Sequence, residues 1–124
     1  ATALVYSRGS VPATTLGMIQ KGMTSVTAAS KTTYTAVAND QIVVDTAANV
    51  VTITLPATPA VGDEVTIMDG SATGGFATNN CVVARNGSNI EGAASDDSLT
   101  VNNQCVTLIY ANATKGWLYK STNQ

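Results

Sequence analysis

From Thr33 onward the chain alternates between apolar and polar positions in short runs, each closed by a turn signal. The clearest run is Val50 to Leu55, where Val51, Ile53 and Leu55 share one face and Thr52 and Thr54 the other. A period of two over such a length predicts a half-buried strand. Pro56 and Pro59 end it, because proline cannot donate a ladder hydrogen bond. The same reading predicts strands over Thr33 to Val37, Gln41 to Asp45 and Glu64 to Asp69, the last with Val65 and Ile67 facing inward. Further strands are expected over Cys81 to Arg85, Ser98 to Val101, Gln104 to Ala111 and Trp117 to Tyr119. Asn86-Gly87 is the strongest hairpin signal in the chain. About seven or eight strands at short intervals predict an all-β fold, a small antiparallel β-sandwich or barrel.

The first part of the chain breaks this pattern. Residues 1–32 hold no sustained period of two, and their apolar residues come in clusters separated by Ser, Thr and Gly. Leu16 to Met23 could turn once as a helix, although Gly17 and Gly22 weaken that reading. The expectation is an extended N-terminal arm over 1–32 ahead of a β-domain over 33–124. Such an arm has little to bury by itself and would be ordered by lying on a neighbouring chain or, as the alternative, on its own domain. The residues expected to make that contact are Leu4, Val5, Tyr6, Arg8, Leu16, Met18 and Ile19.

Composition narrows the function. Charged residues make up 11% of the chain, against ~25% in a typical soluble domain. Hydroxyl and amide side chains fill the difference, which suits flanks covered by neighbouring subunits. A net charge of −2 with scattered Lys and Arg argues against nucleic acid as a partner. No apolar run reaches the ~20 residues that a membrane-spanning helix needs. No basic and apolar leader is visible at the start.

Candidate chemistry is sparse. Histidine is absent, which removes the commonest general base and metal ligand. Two cysteines without histidine make no usual zinc site. The acidic pairs Asp63-Glu64 and Asp96-Asp97 could be imagined as a calcium or glycosidase site. Neither has the spacing or the aromatic surroundings, and both read as turn residues. Asn86-Gly87-Ser88 and Asn112-Ala113-Thr114 match the glycosylation pattern but lie in turns, where Asn is expected anyway. Cys81 and Cys105 would bond only if their strands were neighbours; otherwise each is a small apolar filler. Trp117 reads as core rather than as a ligand platform. No catalytic residue, cofactor, metal or small-molecule substrate is expected.

The order of these pieces resembles a known module. "IVVDTAANVVTITLPATPAVGDEVTIMDG" at Ile42 to Gly70, "NGSNIEG" at Asn86 to Gly92 and "VTLIYANATKGWLY" at Val106 to Tyr119 are similar to a β-module of bacteriophage virion proteins. That module occurs in tail fibres, tail spikes and capsid-surface proteins, and the resemblance covers Thr33 to Lys120. It implies a homotrimer made in the bacterial host cytoplasm, where free thiols are favoured. Because the module is nearly the whole of this chain, the expectation is a capsid cement or decoration protein. It would sit on the capsid exterior and bridge subunits of the major capsid protein. The alternative is a tail-fibre or receptor-binding knob that recognises host surface glycan. A secreted adhesin module is a third reading, and it would require a leader and a Cys81–Cys105 bridge.

Overall fold

The computed structural model of the chain describes residues 23–27 and 32–123. Among them are nine strands and no helix. In chain order they are β1 (Met23–Thr27), β2 (Thr33–Thr35), β3 (Gln41–Asp45), β4 (Val51–Thr54), β5 (Glu64–Asp69), β6 (Cys81–Ala84), β7 (Asp97–Leu99), β8 (Cys105–Asn112) and β9 (Gly116–Asn123). They form two sheets, one ordered β1-β3-β5-β8-β9 and the other β2-β4-β6-β7. The all-β architecture and the two-sheet arrangement agree with the sequence reading. Met23–Thr27, inside the stretch expected to be an arm, runs along β3. The helical turn suggested by Leu16 to Met23 lies outside the described residues, apart from Met23, where β1 begins.

The strand directions correct one expectation, because the sheets are mixed rather than antiparallel. β1 to β6 alternate between the two sheets, and each pairs in parallel with the strand two places earlier or later. The chain therefore winds as a flattened coil, placing one strand in each sheet per turn. Parallel strands need a crossover, and here the crossover is a strand of the opposite sheet. A short segment such as 36–40 or 46–50 serves as a corner between sheets, where the same residues could have closed a hairpin. The antiparallel strands come last. β7 folds back on β6, β8 on β5 and β9 on β8, so that β9 and β7 form the sheet edges opposite β1 and β2.

The core follows from register and parity. Ile42 pairs with Ile67, and Val51 and Ile53 pair with Cys81 and Val83. The inward faces thus stack Ile42, Val44, Val65, Ile67, Val106 and Leu108 over Val51, Ile53, Cys81, Val83 and Leu99, all at most 2% exposed. Burying each large aliphatic side chain contributes roughly 1.5–3 kcal/mol. The loop residues Leu55 and Phe76 plug the ends of the sandwich and are fully buried. Trp117 is also fully buried, as the sequence predicts, and its ring meets Tyr110 edge-on at 5.6 Å. Its indole N–H has no acceptor among the described residues, a cost outweighed by the area the ring buries.

The Asn86-Gly87 turn forms, with both residues at positive φ, but it does not join two adjacent strands directly. After it the chain makes an excursion over 88–96 before β7 returns along β6. That excursion docks on β9, where the Trp117 amide donates to the Asn89 carbonyl at 2.8 Å and the Glu91 amide to the Trp117 carbonyl at 2.7 Å.

Candidate functional site

Potential chemistry in this chain rests on its eight carboxylates, and each of them accepts a hydrogen bond from the protein itself. Asp45 accepts the Ala47 amide at 2.8 Å and Asp63 the Ala60 amide at 2.9 Å, both as turn closures. Asp40 takes the Val37 amide at 3.0 Å and the Tyr34 hydroxyl at 2.8 Å. Asp96 takes the Arg85 amide at 3.0 Å, tying the start of β7 to the end of β6. Glu91 reaches the Tyr119 amide at 2.9 Å. Among the described residues only Glu64 serves no backbone amide; it pairs with Lys120 at 2.9 Å on the surface, which contributes at most about 1 kcal/mol. The two acidic pairs singled out in the sequence are thereby divided among separate structural duties.

Asp69 carries the largest share. Its carboxylate accepts the amides of Ser71 at 3.0 Å, Phe76 at 3.1 Å and Asn103 at 3.0 Å. Burial raises its pKa, but the Ser71 hydroxyl together with the three amides outweighs that and holds the carboxyl below its usual range. A group with a lowered folded value stabilises the fold at neutral pH. That stability is lost as pH falls through the folded value. In the sequence, Asp69-Gly70 reads only as a strand terminator. Yet Asp69 shares the parity of Val65 and Ile67, and that signal already places its carboxylate on the core side.

Asp97 and Tyr119 form the second polar junction, the Tyr119 hydroxyl donating to the Asp97 carboxylate. Burial, and then Asp97 itself, raises the Tyr119 pKa far above that of a free phenol, so the hydroxyl stays protonated and donates. Beside this junction lies a shallow depression of about 220 Å³, lined by Ile90, Glu91, Ala93, Ser95, Asp96 and Asp97. Its three carboxylates are those already bound to Tyr119, Arg85 and Ser98. Among the described residues no cluster of three or more His, Cys, Asp or Glu side chains could hold a metal ion.

The cysteines lie in different sheets. Cys81 pairs with Val51 and Leu99, whereas Cys105 pairs with Met68. Cys81 faces the core, Cys105 faces outward from the other sheet, and both are free. Burial, with a smaller push from Asp69, raises the Cys81 pKa to about 12. At neutral pH Cys105 is therefore expected to react with a thiol reagent in the folded protein while Cys81 stays protected. Mass spectrometry of the labelled native protein checks this, and a double label without denaturant would contradict it.

The turn asparagines, both exposed, bond back onto the protein's own backbone. Asn86 Nδ2 donates to the Leu55 carbonyl at 2.9 Å, and Asn112 Oδ1 accepts the Thr114 and Lys115 amides at 3.0 and 2.7 Å. Both glycosylation-pattern side chains are thus committed to holding turns. The contact residues expected on the arm, Leu4, Val5, Tyr6, Arg8, Leu16, Met18 and Ile19, lie outside the described residues.

At the N-terminal end of the coil, β1 and β2 are edge strands with no outer partner among the described residues. An edge of this kind presents unpaired backbone donors and acceptors and accepts another strand readily. No helix of the described residues is long and apolar enough to cross a membrane. Comparison with known proteins finds no family model that matches the chain and no curated protein that matches it.

Proposed function

We propose that the chain is a structural protein of a bacteriophage virion, a capsid cement or decoration protein on the outside of the head. In this reading it is not an enzyme and uses no cofactor. Its partner is the major capsid protein, whose subunits it bridges as a homotrimer. Nucleic acid, membrane and small-molecule substrates play no part. The observation that supports this most is the asymmetry of the coil. The 88–96 excursion covers part of the β9 edge on one side, while β1 and β2 are edges with no outer partner among the described residues on the side where residues 1–22 join the coil. Backbone pairing there, added to apolar contacts from the arm, would bind several neighbours at once, and linked weak contacts give high avidity. The use of carboxylates as internal pins is consistent with a module selected for rigidity.

Deleting residues 1–22, which leaves β1 in place, tests the arm. The truncated chain should keep its fold by circular dichroism and lose roughly tenfold or more of its affinity for undecorated capsids in co-sedimentation. Unchanged capsid binding would refute arm-mediated bridging. Glycan binding by the intact chain, with no capsid binding, would favour the receptor-binding knob.

A further inference from the structure

One end of the sandwich is closed by two loops, 70–80 and 100–104, that meet over Asp69. Asp69 Oδ2 accepts both the Phe76 and the Asn103 amides, one from each loop, while Oδ1 accepts the Ser71 amide. The loops also touch directly, the Ala77 amide donating to Asn102 Oδ1 at 2.9 Å. Gly75, at φ 107°, packs so closely that a Cβ there would stand 2.7 Å from Asp69 Oδ2. Beneath this cover lie Phe76 and Cys81, both fully buried, Cys81 being the first residue of β6 directly after the loop.

We propose that Asp69 is a conformational latch: its charged carboxylate holds the two loops over Phe76 and Cys81, and neutralising it releases them while the sheets stay paired. The groups facing the carboxylate make this local. From β6 the titratable neighbour is Cys81, and the loops contribute Ser71, Phe76 and Asn103, so no cation faces the carboxylate among the described residues. The charge is therefore met by N–H and O–H dipoles rather than by a counter-ion. Protonation, or conversion to an amide, removes the charge and turns one of the two acceptor positions into a donor, so the three amides are no longer all held by charge-assisted bonds. The ladders β3–β5, β5–β8 and β4–β6 do not use the carboxylate, so the sandwich survives its loss. Opening from this end uncovers the Cys81 thiol.

The test uses a Cys105→Ser chain, in which Cys81 is the sole thiol, and a dipyridyl disulfide reagent that remains reactive in acid. Its rate with the folded protein is divided by its rate with the unfolded protein at each pH. On acidification from neutrality through the carboxylate range, the protection of Cys81 should fall roughly tenfold or more while far-ultraviolet dichroism and Trp117 fluorescence hold. Adding Asp69→Asn should remove the protection already at neutral pH and flatten its pH dependence. Adding Asp45→Asn, at the same end of the sandwich, should leave the parent profile unchanged. Should the Asp69→Asn chain fail to fold, amide exchange at Phe76 and Asn103 in the Cys105→Ser chain decides. Faster exchange at both on acidification, with β4–β6 amides protected, supports the latch. Protection of Cys81 that is lost only with the dichroism signal, or an Asp69→Asn chain that keeps the parent profile, would overturn it.

Discussion

Gly116→Ala is expected to destabilise the protein by about 3–5 kcal/mol, well above the usual cost of a single substitution. Gly116 opens β9 at φ 70°, in the left-handed region that a side chain disfavours. The new Cβ would also stand far inside van der Waals contact distance of the Asn89 carbonyl oxygen, with the Asn89 amide nitrogen 2.8 Å away. These neighbours are backbone, so they cannot rotate aside. That same Asn89 carbonyl accepts the Trp117 amide. Forcing it away undocks the 88–96 excursion from β9 and opens the core at Ile90 and Trp117. Urea denaturation followed by Trp117 fluorescence checks the loss through a lowered midpoint at constant slope. A midpoint unchanged within error would mean that the excursion is not fixed as described.

Phe76→Ala should cost about 3–5 kcal/mol, for a different reason. Phe76 is the chain's single phenylalanine and is fully buried, although it belongs to a loop. It plugs the end of the sandwich, and its amide is held by Asp69 at 3.1 Å. Truncation leaves a cavity that the latched loop cannot collapse into. The result should be a lowered denaturation midpoint together with faster labelling of Cys81, the residue nearest the loop's end. A stable Phe76→Ala protein with Cys81 still protected would show that the loop closes without its plug.

These effects bear on how much the sequence can reveal. Strand positions are legible because burial follows a period of two: Gln41–Asp45 and Glu64–Asp69 have the bounds that the alternation predicts. Direction is not legible. A strand's pattern records which face is buried, not which way its partner runs, and a corner between sheets uses the same Pro, Gly, Asn and Asp as a hairpin. Hence the coil reads as antiparallel, and Asn86-Gly87 as a hairpin between neighbouring strands. Phe76 escapes notice because no periodic run surrounds it. The carboxylates read correctly as turn residues, but what they hold depends on segments distant in sequence. Asp69 reaches Asn103 across such a gap, and no local pattern encodes that pairing.

The function proposed above is that the chain is built to hold neighbouring subunits together. Its number of copies in a purified particle tests that most directly. Quantitative mass spectrometry against the major capsid protein should give hundreds of copies, as a surface lattice of cement requires. A count of about three to eighteen would place the chain in a tail structure and contradict the account.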